Sequence, residues 1–220
     1  MKKLSIVILL FLPLSVMAQN DWEKPQAIDI QQNKEKETLF ESKKKAITKE
    51  DKKYLEGAIP LVDGKVSFNY DLDIPGKNAQ QIYDLTYAVL DSMTKGDNQF
   101  AESSIALVNR KEHIIAARFK EWLIFQSSFL SLDRSILNYT VIARCSNEHL
   151  NITLSRISYV YEKDRGMNDG IETTAENWIT DKYGLNKNKT KLSRMSGKFR
   201  KKTIDRKDEI FNTIKVNLLK

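Results

Sequence analysis

The 220-residue chain holds one cysteine, two histidines, eight glycines and four prolines. A lone thiol, Cys145, excludes an intramolecular disulfide framework and a multi-thiolate zinc site. So few glycines and prolines exclude a collagen-like or linker protein. His113 and His149 each open a strand-like run after a charged turn. Neither has a partner at metal-ligand spacing, so both read as surface or turn histidines. No G-x-S-x-G elbow, H-E-x-x-H pair or glycine-rich phosphate cradle occurs, and no cofactor or metal is expected.

The chain has one sustained apolar run, Leu4 to Val16, and it falls short of the roughly 20 residues that span a bilayer. Lys2 and Lys3 precede it, and Val16-Met17-Ala18 puts small residues at the −3 and −1 positions before Gln19. This is the layout of a secretory signal peptide over residues 1–18. The mature chain is expected to be exported (periplasmic, outer-membrane-associated or extracellular), with no transmembrane segment after cleavage. No cysteine follows the run, so no lipid anchor is expected at a new N-terminus.

Charge is uneven. Residues 19–56 carry nine basic and nine acidic side chains, residues 57–161 carry ten and eleven, and residues 162–220 carry fifteen and nine. The positive excess therefore sits in the last quarter of the chain, and the pI near 9.3 describes a tail rather than a basic domain. Residues 19–53, rich in Lys, Glu, Gln and Asn, bury too little to offset their ordering entropy and read as a flexible charged arm.

Residues 54–161 read as the core. Lys65 to Ile74 alternates apolar and polar, one face buried and one wet. Pro75-Gly76 ends that strand. Asn78 and Gln81 make a capping-box pattern ahead of a helix carrying Ile82, Leu85, Val89 and Met93. Four strand-like runs follow. Ser104 to Asn109 and a run from His113 flank Arg110-Lys111 as a hairpin. Ser135 to Cys145 places Leu137, Tyr139, Val141, Ala143 and Cys145 on one face, which reads Cys145 as a buried, inert thiol. His149 to Tyr161 changes phase between Ser155 and Arg156, which predicts a bulge. In residues 162–220 a helix capped by Thr173 and ended by Gly184 is expected, then a basic loop, then a last helix from about Thr203 to Leu219. Strand, helix, four strands, helix, helix is the order of an α+β fold, an antiparallel sheet with helices packed on one face.

Several separated segments carry a resemblance. Tyr54-Leu55-Glu56-Gly57-Ala58-Ile59-Pro60 is followed by Val62-Asp63-Gly64-Lys65-Val66. Leu132-Asp133-Arg134, Asn138-Tyr139-Thr140 and Glu176-Asn177-Trp178-Ile179-Thr180-Asp181 come next. Leu185-Asn186-Lys187 and Lys198-Phe199-Arg200-Lys201-Lys202-Thr203-Ile204-Asp205 complete the set. Together they resemble a secreted domain family of Bacteroides-group bacteria, of unknown function and with a TATA-binding-protein-like (TBP-like) fold. The likeness runs from about Tyr54 to Phe211. It implies a β-α-β-β-β-β-α core, in agreement with the order read from the residues, and it implies no activity. The fold's name does not carry DNA binding with it, and no nucleic-acid partner is expected.

Candidate chemistry is sparse. Asp71 and Asp73 share the wet face of the first strand, and Glu112, Glu121 and Asp133 read as lying on nearby turns. Acid–base catalysis needs two carboxylates converging in a cleft, which this spacing does not supply. The densest feature is basic: ten Lys and Arg fall between Lys187 and Lys207, with Asp205 the one acid among them. Lys198, Arg200, Lys201 and Lys202 are the candidate residues for binding an anion or partner by charge-assisted hydrogen bonds. The plainer alternative is a solvated loop that packs Phe199, or an Arg200 or Lys202 that pairs with a core carboxylate. The expected function is a non-enzymatic binding or interaction module of the cell envelope, its partner an envelope protein, a glycan or an anionic lipid. The alternative is a hydrolase whose site assembles only in three dimensions.

Overall fold

The computed structural model describes residues 52–128, 131–162 and 170–220. The expected signal peptide lies outside them. So does the expected arm, save for Lys52 and Lys53, which form a 3-10 turn with Tyr54.

Among the described residues seven strands form one antiparallel sheet: β1 (Leu61–Val62), β2 (Lys65–Asp73), β3 (Ser104–Asn109), β4 (Ile114–Ser128), β5 (Ser131–Ser146), β6 (His149–Tyr161) and β7 (Ile171–Thr174). Their order across the sheet is β1-β2-β6-β5-β4-β3, and β7 pairs with β6 beyond the end of β2. Asp63 and Gly64, both at positive φ, close the β1–β2 hairpin in a two-residue turn. Alternation decides which face is buried. Val66, Phe68 and Leu72 of β2, Ile115, Ala117 and Phe119 of β4, Leu137, Tyr139, Val141, Ala143 and Cys145 of β5, and Leu150, Ile152 and Leu154 of β6 all point to one side.

Two long helices cover that side. Helix α1 (Ala79–Thr94) starts at the expected box: the Asn78 side chain accepts from Gln81 N–H, and the Gln81 side chain accepts from Asn78 N–H, each at 2.9 Å. Such a cap stabilises a helix by about 1 kcal/mol. It lies against β4 and β5. Between α1 and the last helix come two single turns, α2 (Ala175–Trp178) and α3 (Asp181–Gly184). The C-terminal helix α4 (Gly197–Leu218) buries Phe199, Thr203, Ile204, Ile210, Phe211, Ile214 and Leu218 along one stripe and packs on α1, β4 and β2. The architecture is α+β, an antiparallel sheet with helices on one face and a long C-terminal helix added.

Several expectations change, among them the single helix expected between Thr173 and Gly184, which is two separate turns, α2 and α3. Thr173 does not cap a helix; it belongs to β7, opposite Tyr159, and the Glu176 carboxylate accepts from Val66 N–H at 2.9 Å instead. The last helix begins at Gly197, six residues before Thr203, because Phe199 and Arg200 extend the buried stripe by one turn. Glu121 and Asp133 lie within β4 and β5, not on turns.

Candidate binding face

The four cations singled out from the sequence occupy the first turn and a half of α4, not a loop, and they separate into three environments. Arg200 is fully buried. Its Nε donates to Tyr54 O (2.6 Å), Nη1 to Ile179 O (2.8 Å), and Nη2 to Leu55 O (2.5 Å) and Asp181 Oδ1 (2.7 Å). Gly184 makes room for it, since a Cβ there would come within 2.8 Å of Arg200 Cδ. Arg200 is thus a correction: its donors are consumed inside the fold, and it cannot meet an external anion.

Lys198 pairs with Asp133 at 2.7 Å, donates to the Tyr161 hydroxyl at 2.8 Å, and stands over the rings of Tyr161 (4.4 Å) and Phe125 (4.7 Å). These partners hold it to the end of the sheet, its ammonium retained above the ordinary lysine range by Asp133 and Tyr161 against the cost of burial. Lys201 is exposed over the Tyr54 ring at 5.1 Å. Lys202 is half-exposed beside Asp205, Arg206 and Glu209.

Two carboxylates on the helix side, Glu121 and Asp205, are also engaged. Glu121 is 1% exposed; Arg206 grips it through Nε–Oε1 (2.7 Å) and Nη2–Oε2 (2.8 Å), and Gln99 donates to it as well. Asp205 accepts from Lys53 (2.8 Å) and from the Tyr54 hydroxyl (2.6 Å).

The opposite face of the sheet is different. Alternation turns Arg118 and Lys120 of β4, Asn138, Thr140 and Arg144 of β5, and Asn151, Thr153, Ser155 and Ser158 of β6 outward. Among the described residues no helix covers them. Cross-strand pairing sets them in rows: Arg118, Thr140 and Ser155 in one, Lys120, Asn138 and Ser158 in the next. Between these rows lies the predicted bulge, where the register shifts at Tyr139 and Arg156 adopts φ 55°. The extra residue returns Ile157 and Tyr159 to the core side after Leu154. A left-handed conformation costs a residue with a Cβ about 1 kcal/mol, which glycine avoids. The sequence nevertheless places an exposed arginine there.

A depression of about 350 Å³ opens on these rows, lined by Glu102, Arg118, Lys120, Asn138, Thr140 and Arg156. Phe119 and Tyr139 also line it, but their side chains are buried on the helix side, with rings stacked 4.9 Å apart. Lys120 is neutralised by Glu102 at 2.6 Å. Lys120 first, then a backbone hydrogen bond and, least, the charge of Arg118 hold the Glu102 carboxyl below its ordinary range. The Arg118 and Arg156 side chains make no ion pair and no hydrogen bond among the described residues. The sequence signal for this site was the phase change at Arg156. Its weight was missed because the cations are scattered over three strands and only the pairing assembles them.

The remaining sequence candidates fall as follows. Cys145 is buried and its thiol is pushed up to about 11 by desolvation. His149 sits between two carboxylates, Nδ1 at 3.0 Å from Asp73 Oδ1 and Nε2 at 3.1 Å from Asp71 Oδ1. His113 lies in the β3–β4 turn, edge-on to Tyr83. Among the described residues no group of three or more His, Cys, Asp or Glu side chains is placed to hold a metal, and no helix is long and apolar enough to cross a membrane.

Residues 68–160, from β2 to β6, match the model of DUF4468, a domain of unknown function with TBP-like fold. A solved DUF4468 family protein from Bacteroides ovatus ATCC 8483 is 39% identical, with a TM-score of 0.70, over 76% of this chain and 94% of that one. The chain belongs to the DUF4468 family. A TBP-like protein from Parabacteroides distasonis ATCC 8503 shares the fold at 19% identity, with a TM-score of 0.58, over 73% of this chain and 96% of its own. No curated protein matches the DUF4468 chain. The DUF4468 core alone supplies the bulge, the two bare arginines and the depression, whereas α4 and its cations lie beyond the matched residues.

Proposed function

We propose that this DUF4468 protein is an exported, non-enzymatic binding module of the bacterial cell envelope, and that it meets its partner through the open face of the sheet. One observation carries the reading: among the described residues helices cover only one face, and the other presents Arg118 and Arg156 without an ion pair in a shaped depression. Exposed charge left without a partner inside the chain is available for one outside it. Export rests on the layout of residues 1–18. The alternative, a hydrolase, would draw on carboxylates that the fold already employs, Glu121 with Arg206 and Asp133 with Lys198.

The test is capture from the envelope fraction, with the chain as bait and the bound material identified. A specific partner, and native chain that starts at Gln19, supports the reading. Uncleaved Met1 in membrane pellets removes the export half. Turnover of an envelope substrate without stable capture removes the non-enzymatic half.

A further inference from the structure

We propose that the depression between Arg118 and Arg156 binds the anionic group of a hydroxyl-rich saccharide residue, gripped by both guanidinium groups and the Thr140 hydroxyl. The proposal rests on the reading of the open face as the binding face and names the ligand class.

Three observations converge. The first is charge. Glu102 pairs with Lys120 and feels Arg118 only through its field, so the depression keeps a net positive charge and two guanidinium groups that make no ion pair among the described residues, the side chain best shaped to hold an oxyanion by paired hydrogen bonds.

The second is the backbone at Arg156. A bulge with one left-handed residue is met most cheaply by glycine, yet an exposed arginine occupies it. Strain retained at an exposed, ligand-facing position points to a use for the side chain.

The third is the bed. Asn138 and Thr140, with Ser155 and Ser158 in the same rows, offer amide and hydroxyl groups that both donate and accept. That suits a ring bearing hydroxyls. The apolar residues beneath, Phe119 and Tyr139, turn their rings away. β4, β5 and β6 are interior strands, so among the described residues no free sheet edge exists here for a peptide strand to extend. The volume, about 350 Å³, falls at the small end of ligand clefts and matches one saccharide residue rather than a large cofactor.

The experiment is calorimetric titration of the purified chain, in the form its host processes it to, with three probes: tetragalacturonate, the neutral cellotetraose, and inorganic phosphate. Tetragalacturonate should bind, weaken as salt is raised, and exceed cellotetraose by at least about tenfold. Arg118→Gln and Arg156→Gly should each weaken it about tenfold with the unfolding midpoint unlowered. Arg118→Lys, which keeps the charge but loses the fork, should recover part of the loss.

Affinity indifferent to both substitutions overturns the site. So does loss confined to Lys201→Gln and Lys202→Gln, which would move binding to the helix side. Phosphate that competes at equal concentration overturns the saccharide assignment, and absence of binding by every probe overturns the ligand class. Envelope capture repeated with the Arg118→Gln/Arg156→Gly chain separates the two readings. Undiminished capture overturns this site and leaves the binding module standing, whereas turnover without capture by the unaltered chain removes the module itself.

Discussion

On the helix-covered side of the sheet, Arg200 and Arg206 spend their donors on Asp181, Glu121 and three backbone carbonyls; on the open side, Arg118 and Arg156 have no such partners among the described residues. The difference inverts what charge counting suggests. The basic excess lies in residues 162–220, but its cations reach back to Asp133, Glu121 and Glu56. Those acids belong to, or lead into, the nearly neutral core. They lie on the helix side, so the tail's cations are paired off there, whereas Arg118 and Arg156 on the other face make no ion pair among the described residues. Net charge along the sequence is therefore a poor guide to where a protein is electropositive. What matters is which charges the fold pairs off.

The largest test of this contrast is Arg200→Met. It strands three carbonyls and takes the cation from a partly exposed Asp181, and the expected cost is about 3 kcal/mol, read as a lower urea midpoint at unchanged slope. A loss below about 1 kcal/mol, no more than an exposed ion pair contributes, would mean that Arg200 is not the anchor described here. Glu121→Gln comes next. It leaves Arg206 with a neutral partner, and because Arg206 keeps some water, about 2 kcal/mol is expected.

Arg156→Gly sharpens the comparison from the open side. Removing a Cβ from a left-handed residue should leave stability unchanged or raise it by up to about 1 kcal/mol, while the opposite sign would show that the side chain supports the fold.

Two titrations bring smaller effects. The Cys145 thiol ionises in the folded chain only near pH 11, so its buried, neutral form favours folding up to the unfolded thiol's pKa near 9, and that contribution is lost as pH rises further. Native chain at pH 8 should resist a thiol reagent and react after denaturation. His149 is held above its ordinary pKa by Asp73 first and then Asp71. Its favourable pairing is complete below about pH 6.5 and disappears as pH rises through the folded value. Because the group is exposed, an NMR titration will register this better than a melting curve. Asp73→Asn should bring the His149 pKa back toward 6.5.

The sheet was legible because its strands obey a period of two over long stretches. Lys65–Asp73 and Ser135–Cys145 fall where their alternation places them, and the bulge at Arg156 followed from a single change of phase. The Asn78 box was legible because both of its partners are local. The start of α4 was not. Its first turn carries Lys198, Arg200, Lys201 and Lys202, and a cluster of cations reads as solvent-facing until a buried acceptor for one of them is known. The acceptors for Arg200 are the carbonyls of Tyr54, Leu55 and Ile179, which no side-chain pattern announces. The binding face was hidden for a related reason. Arg118, Thr140 and Arg156 are far apart in the chain, and only register joins them.

The contrast between the two faces can be read most directly from the arginine Nε–H signals of the folded chain during titration with tetragalacturonate. The account predicts that the Arg118 and Arg156 signals move together and saturate, while those of Arg200 and Arg206, locked to internal acceptors, stay in place. Movement confined to the α4 residues, with Arg118 and Arg156 unchanged, would contradict it.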